Sequence, residues 1–89
     1  MFYVLAHNIR SMHNVGAIFR TSDGAGVDKL FLTGYTAVPP RVEITKSALG
    51  AEAWIPWEHE KDPLQVISRL KKEKVAIVAL EQTKDAVGI

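Results

Sequence analysis

Hydrogen-bonding side chains are concentrated between residues 8 and 21, where a short apolar segment gives way to a helical pattern. Asn14 can both donate and accept hydrogen bonds, and Arg20 carries a planar fork of donors that suits a phosphate group. Gly16 lets another group approach the backbone closely, and unpaired N–H groups in the first turn of a helix favour an anion. These residue types predict a site for a polar or anionic ligand.

The same residues also have an ordinary structural explanation, in which Asn14 is only a helix N-cap and Arg20 only a surface arginine. At about 100° per residue, one helix face would contain Val15, Ile18, Phe19 and Ser22. Arg20 would then point about 150° away from the centre of that face. The spacing therefore predicts that Arg20 is not held in the core, and it leaves both explanations open.

The site is predicted to lie between a strand at Phe2–Ala6 and a helix from about Asn14 to Gly24. Phe2–Ala6 is rich in residues that favour β-structure. In open α/β sheets, ligands bind outside the carboxyl ends of the strands, which is where residues 8–14 would lie. This placement favours a ligand site over a simple connection.

Further along the chain, strands and helices are predicted to alternate. Lys29–Thr33 is typical of a buried strand closed by Gly34, and Glu43–Leu49 predicts a short helix stopped by Gly50. Ala53–Trp57 could form a third short strand, which Pro56 would end or restrict to a sheet edge.

The last part of the chain predicts a helix followed by a strand. Asp62 is expected to cap a helix whose first residue is Pro63, and Val75–Leu80 is expected to be a strand buried on both faces. Strands separated by helices indicate a parallel sheet with right-handed crossovers. We therefore expect residues 1–89 to form a single α/β domain, with a three- or four-stranded parallel sheet flanked by helices.

Composition excludes several classes of function. The 89 residues contain no cysteine, which rules out disulfides, thiolate metal sites and cysteine nucleophiles, and fits a cytoplasmic location. A net charge of +1 is too small to indicate nucleic-acid binding by itself. No apolar run approaches the roughly 20 residues that a membrane span needs, and the first residues lack the basic start of a signal peptide. No membrane partner is expected.

Histidines and cations outside this site allow weaker interpretations. His7 and His13 are not at a recognised metal-ligand spacing, so we expect no metal site, and we expect both to line or border the loop of the ligand site. Arg41 and Lys46, which follow the double proline, could contact phosphate or could be ordinary surface residues.

The aromatic and acidic residues after position 52 also allow two interpretations. Trp54 and Trp57 could stack on unpaired bases, although packing in the core or in an interface is the preferred explanation. The segment 58–61, with two glutamates, a histidine and a lysine, resembles a proton-transfer cluster only by composition. A solvated loop is the preferred interpretation there.

The segment from residue 8 to residue 21 also matches a family signature. The pattern Asn-x-Arg-Ser-x-x-Asn-x-Gly-x-x-x-Arg-Thr is met by Asn8, Arg10, Ser11, Asn14, Gly16, Arg20 and Thr21. It resembles the first signature of the SpoU family of RNA 2′-O-methyltransferases, the TrmH-type branch of the knotted SPOUT enzymes. Residues 26–36 and 46–52 look like the segments that follow in the same family. The resemblance therefore covers nearly the whole chain.

The resemblance implies a partial SPOUT α/β-knot domain that lacks the C-terminal knot. In SpoU enzymes a second signature near a Gly-x-Glu turn and a third near a Ser-Leu-Asn stretch build the knot that holds S-adenosylmethionine. The last residues of this sequence, Thr83–Ile89, contain neither signature. The chain is therefore expected to be the N-terminal part of a SpoU domain, with no cofactor-binding residue of its own.

The activity that the resemblance implies is methyl transfer from S-adenosylmethionine to a ribose 2′-hydroxyl of tRNA or rRNA. Arg20 would act at that hydroxyl, by stabilising the developing alkoxide or clamping the adjacent phosphate, and Asn14 would orient the hydroxyl or a nearby backbone group. The residues expected to bind RNA are Asn8, Arg10, Ser11, Gly16, Arg41 and Lys46.

The family combines two subunits, so a homodimer or pairing with a knot-containing chain is expected. An uncovered last strand and a small core also predict association. The chain alone is expected to be inactive, which leaves open whether it functions as an enzyme. The alternatives are a non-catalytic RNA-binding or dimerisation module derived from that domain and, less in keeping with the length of the match, an unrelated small α/β ligand-binding domain.

Overall fold

The computed structural model describes residues 1–73 and 75–81, in which strands and helices alternate. In chain order the elements are β1 (Phe2–His7), α1 (Met12–Ala25), β2 (Lys29–Thr33), α2 (Val42–Ala48), a 3₁₀ turn (Ala51–Ala53), β3 (Trp57–Glu60), α3 (Pro63–Lys71) and β4 (Ala76–Glu81).

The four strands form one parallel sheet in the order β3–β2–β1–β4. The first two crossovers step from β1 to β2 and on to β3, and α3 then carries the chain back to the other side of β1. The strand order therefore reverses direction beside β1, and the carboxyl end of β1 is the position where open α/β sheets bind ligands. The predicted parallel α/β architecture is confirmed, and the sheet has four strands where three or four were expected.

Alternate residues of each central strand supply two separate cores. In β1, Val4 and Ala6 join the core formed with α1 and α2, whereas Tyr3 and Leu5 pack with α3 on the opposite face. The first core is the larger, and Phe19 of α1 is completely buried in it. Because side chains alternate along a strand, an apolar run such as β1 can pack against helices on both faces.

Helix α1 begins earlier than the sequence predicts. Ser11, and not Asn14, is the N-cap: its hydroxyl accepts a hydrogen bond from the Asn14 backbone N–H at 3.1 Å. A serine hydroxyl meets the cap requirement as well as an asparagine does, so the sequence offers two starts within three residues. The predicted buried face is confirmed, and Arg20 is exposed as expected.

The third strand also differs from the prediction. Ala51–Ala53 forms a 3₁₀ turn, and β3 starts only at Trp57, immediately after Pro56, whose carbonyl accepts from the Leu30 N–H at 2.9 Å. The interpretation of residues 58–61 as a solvated loop is therefore wrong for residues 58–60. A polar strand is tolerated there because β3 is at the edge of the sheet.

The last strand occurs where it was predicted, but its burial was predicted wrongly. β4 lies at the other edge of the sheet and is mostly exposed, with Val78 44% exposed. Smaller shifts occur elsewhere: α2 ends at Ala48, with Leu49 in a left-handed conformation before Gly50. Asp62 caps α3 as predicted, with Oδ1 accepting from the Leu64 N–H at 2.9 Å. Within the described residues, no helix is long and apolar enough to cross a membrane.

Candidate functional site

The loop that follows β1 is joined to the loop that follows β2 through Asn8. Asn8 has a left-handed backbone (φ 53°), and its Oδ1 accepts from the Tyr35 N–H at 3.1 Å. Gly34, also left-handed at φ 66°, leaves no room for a Cβ because that atom would collide with Asn8 Oδ1. The Asn8 side chain thus has a structural role in holding the two loops together.

The buried side chain of Thr36 also connects the loop after β1 to the end of β2. The Thr36 hydroxyl accepts a hydrogen bond from the Ile9 N–H at 3.0 Å. The same hydroxyl can donate to the carbonyl oxygen of Ala6 at 3.2 Å or of Thr33 at 2.8 Å. His7 Nδ1 adds a contact to Thr33 Oγ1 at 3.0 Å. Since a buried backbone N–H must be paired, these bonds determine the path of residues 8–10.

The remaining loop residues of the family signature prepare the start of α1. Arg10 is exposed, and its Nε donates to the Tyr35 hydroxyl at 3.2 Å. Ser11 caps the helix, and Asn14 is half-buried in its first turn. The structure therefore places these three residues around the junction between β1 and α1.

Gly16 is accounted for by helix packing. A Cβ on Gly16 would collide with Ser47 Oγ and would lie 2.5 Å from the Ile44 carbonyl oxygen, so α2 crosses α1 directly above this glycine. The close approach that the sequence predicts at Gly16 is therefore made by another helix. It also sets the distance between the side chains that α1 and α2 present outside the contact.

Side chains from both helices enclose a polar cleft next to this crossing, here called the α1–α2 cleft. Its volume is about 480 Å³, and it is lined by His13, Ala17, Arg20, Thr21, Lys46, Ser47 and Leu49. Arg20 and Lys46 are 26 positions apart in sequence, yet the helix crossing brings both to this cleft. Among the described residues, no acidic side chain lines it, so its two permanent cations favour an anionic ligand.

The cleft contains some predicted residues and omits others. Arg20 and Lys46 line it, and Lys46 also borders a shallower depression of about 300 Å³ formed with Arg41, Pro40, Val42 and Thr45. The loop residues Asn8, Arg10, Ser11 and Asn14 do not line either space.

His13, which was expected to line or border the site loop, lies in the lining of the α1–α2 cleft. His13 and Arg20 are seven residues apart, close to two helical turns, so they lie on one face of α1 with Ala17 between them. That spacing was available in the sequence. Ser47 and Leu49 could not be found in this way, because only the crossing of α2 over Gly16 brings them to the cleft.

No metal site is formed within the described residues, where no group of three or more histidine, aspartate or glutamate side chains is arranged around one point. The α1–α2 cleft also does not suit the cofactor S-adenosylmethionine. The α1–α2 cleft carries two cations, which would repel the cofactor's positively charged sulfonium.

A second space, the apolar groove between α1 and β4, has a volume of about 310 Å³. Its lining is almost entirely hydrocarbon and includes Phe2, Val4, Ile18, Val27, Val78 and Leu80. It offers few polar groups for the amino-acid and adenosine parts of the cofactor. The expectation of a missing cofactor site rests on Thr83–Ile89, which lie outside the described residues.

Comparison with known proteins places this geometry in a family. The model of the SpoU rRNA Methylase family matches residues 1–88. The tRNA (guanosine(18)-2'-O)-methyltransferase of Aquifex aeolicus (strain VF5) is 33% identical over 86 residues, which are 96% of this chain and 40% of that protein. The chain therefore spans about two fifths of the length of this relative.

Solved structures share the fold at low sequence identity. The rRNA methyltransferase from Sinorhizobium meliloti superposes with a TM-score of 0.77 at 22% identity, over 99% of this chain and 41% of that one. AviRb from Streptomyces viridochromogenes, in complex with AdoMet, gives a TM-score of 0.76 at 16% identity, over 92% and 41%. The A. aeolicus TrmH/SpoU tRNA modifying enzyme gives 0.71 at 18%, over 99% and 64%. With its signature, its parallel sheet and its match over residues 1–88, this chain belongs to the SpoU rRNA methylase family.

Proposed function

We propose that this chain is the RNA-side part of a SpoU-type RNA 2′-O-methyltransferase, acting on tRNA or rRNA in the cytoplasm. The observation that carries the proposal is the α1–α2 cleft, where Arg20 of the family signature and Lys46 of a different helix line one concave, cation-rich space. The two cations suit a phosphate, and the hydroxyl groups of Thr21 and Ser47 suit the ribose next to it.

Arg20 would act on the ribose 2′-oxygen. A guanidinium keeps its proton in proteins, so it is suited to stabilise negative charge that develops on that oxygen and not to remove the proton itself. Lys46 would hold the neighbouring phosphate, and Asn14, which lies in the first turn of α1 outside the cleft lining, would orient a nearby backbone group. Asn8, Arg10, Ser11, Gly16 and Arg41 would support RNA binding, the first by holding the loop after β1 in place.

The methyl donor S-adenosylmethionine would be held by residues beyond those described, in a C-terminal segment or in a knot-containing chain that pairs with this one. One relative's AdoMet complex and the two-fifths coverage of the relatives support this division. Alone, the chain is expected to bind the cofactor weakly and to transfer no methyl group.

The second candidate is a non-catalytic RNA-binding or dimerisation module. It is favoured by the poor fit of both clefts to the cofactor. The two candidates differ in one respect: only the first predicts methyl transfer when the C-terminal half of a SpoU domain is supplied.

The test is a reconstitution of this chain with such a C-terminal half, followed by tritium transfer from labelled S-adenosylmethionine into tRNA and rRNA. Transfer should appear only with both halves present. Arg20→Ala should lower it at least about 100-fold, as removal of one charge-stabilising donor does in other enzymes. Lys72→Ala, which removes an exposed cation after α3, should leave it unchanged.

Arg20→Ala should keep the thermal unfolding midpoint of the chain, because Arg20 is exposed. Full activity of the reconstituted Arg20→Ala variant would contradict the assigned role. Absence of transfer with unaltered chains that bind RNA would favour the non-catalytic module.

A further inference from the structure

The two tryptophans of this chain have different environments. Trp57 is half-buried and packs against the larger core at the start of β3, whereas Trp54 is 60% exposed. Core packing, one of the two roles preferred from the sequence, is therefore found for Trp57 and not for Trp54, and packing of Trp54 in an interface stays a prediction. A large aromatic ring that is mostly exposed is available for contact with a ligand.

Trp54 lies against Gly50, the residue that follows the end of the α1–α2 cleft lining at Leu49. Its ring atoms Cη2 and Cζ3 lie 3.3 and 3.6 Å from where a Cβ on Gly50 would be placed. Gly50 follows Leu49, which lines the cleft. Because a side chain at position 50 would meet the ring, the glycine allows the indole to lie against the chain immediately after α2.

The outer face of α2 combines apolar and basic side chains. Val42 and Leu49 are 65% and 62% exposed, and their positions place them on one helix face with Lys46. The acidic residue closest to Trp54 in sequence, Glu52, has its Oε1 buried and not presented to solvent. Glu43 of α2 is also exposed and offsets part of the positive charge of Arg41 and Lys46, so the surface offers a small excess of positive charge together with apolar contact.

An unpaired RNA strand complements this surface. Its phosphates are anionic, and its bases expose flat faces that stack on aromatic side chains. In a duplex the same faces are covered by neighbouring base pairs.

We propose that Trp54 is a stacking platform for an unpaired base of the RNA strand whose backbone occupies the α1–α2 cleft. The inference rests on the proposed function for the class of ligand and extends it to the single-stranded state of the bound segment. Trp54 therefore selects for an unpaired segment, and the cations of the cleft bind whatever the base sequence.

The test uses the 89-residue chain in two matched single-tryptophan variants. Trp57→Phe retains only Trp54, and Trp54→Phe retains only Trp57. Each is titrated with an unpaired ten-nucleotide RNA of mixed sequence and with a duplex of the same sequence, and tryptophan emission is recorded. Quenching should occur in the Trp57→Phe variant with the unpaired strand, and should be several-fold smaller with the duplex. The Trp54→Phe variant should show little change.

Affinity provides the second measurement and does not require the half-buried tryptophan to be altered. Fluorescence anisotropy of the labelled unpaired strand should show about tenfold weaker binding for Trp54→Ala, because one base–aromatic stack is lost. Trp54→Phe should recover most of that loss, and Lys72→Ala should bind as the unaltered chain does. Circular dichroism melts should agree among these variants, since both substituted side chains are exposed.

The proposal would be overturned if Trp54→Ala bound the unpaired strand with unaltered affinity, or if duplex and unpaired strand quenched Trp54 equally. It would also be overturned if the emission of Trp54 did not respond to RNA, and that last result would favour a protein-docking role for this face. These outcomes are separate from failure of the proposed function. Arginine-dependent methyl transfer by the reconstituted enzyme can persist when Trp54 does not stack, and stacking can be observed when no transfer occurs.

Discussion

At the scale of single residues, Gly16 shows how a signature position can serve packing. The sequence predicted that this glycine allows a close approach to the backbone in the first turn of α1. In the structure, α2 makes that approach, with Ser47 and the Ile44 carbonyl against the glycine. The cleft exists because the two helices are this close, so Gly16 contributes to the site through geometry and not by contact.

Gly16→Ala is predicted to destabilise the chain by about 1–3 kcal/mol, because the added methyl overpacks the helix crossing. Gly24→Ala is the matched control in the same helix. No atom lies within 4 Å of the position of its Cβ, and its φ is not left-handed, so alanine should be neutral or stabilising by up to about 1 kcal/mol. Urea unfolding followed by circular dichroism measures both. Equal midpoints for the two variants would contradict the packing role of Gly16.

At the scale of elements, a charged cluster attaches the polar edge strand β3 to its neighbours. Glu58 accepts from Lys29 Nζ of β2 at 3.1 Å and from Arg69 of α3 at 3.0 Å. Both cations also lie over the Phe31 ring, 5.0 and 5.3 Å from its centroid. These contacts connect the polar strand β3 to both β2 and α3.

The cluster predicts a pH dependence of stability. Burial alone would raise the pKa of Glu58, but hydrogen bonds and charge attraction from Lys29 and Arg69 together outweigh it and lower the pKa below the ordinary 4.5. A carboxyl group with a lowered folded-state pKa stabilises the fold above its unfolded pKa. This contribution is lost as the pH falls from there through the lowered value.

Glu58→Gln should therefore lower the free energy of unfolding at pH 7 by less than about 1 kcal/mol, since the carboxylate is one-third exposed and screened by solvent. The difference between variant and unaltered chain should disappear in acid. Arg69→Gln should produce part of the same loss. Urea titrations at pH 7, 5 and 3 measure the effect, and a difference that persists undiminished at pH 3 would exclude this assignment.

At the scale of the whole molecule, the uncovered surface is next to β4. Among residues 1–73 and 75–81, this strand pairs on one side only, and two of its residues, Val78 and Leu80, line the apolar groove beside α1. An unpaired strand edge beside an apolar groove favours association with another chain. Self-association and pairing with a complementing chain would compete for this edge.

The isolated chain is accordingly predicted to sediment at micromolar concentration as a species heavier than the 9.8 kDa monomer. Val78→Lys should shift it toward the monomer, because a lysine on a strand edge opposes pairing. Leu64→Lys, at a residue of α3 that is 69% exposed, should leave the association unchanged. A single species of about 10 kDa for the unaltered chain would contradict the prediction.

The sequence predicted most of the elements because their signals are local. β2 has the predicted bounds, and Asp62 with Pro63 starts α3 as expected, since a cap and a proline act within one helical turn. The predictions were wrong where the start or the burial of a strand depends on the strands beside it in the sheet. β3 begins after Pro56 because β2 pairs with that segment, and β4 is exposed because the described sheet ends there.

For the candidate site, the sequence by itself determined the family signature, the exposure of Arg20 and the buried face of α1, all of which follow from residue type and helical period. The tertiary structure decided what these residues meet. It brought Lys46 to the cleft of Arg20, used the Asn8 side chain within the protein, and left Trp54 outside the core while Trp57 packed. The physical reason is that periodicity specifies the face of an element on which a residue lies, whereas the partner of that face depends on contacts between residues distant in sequence.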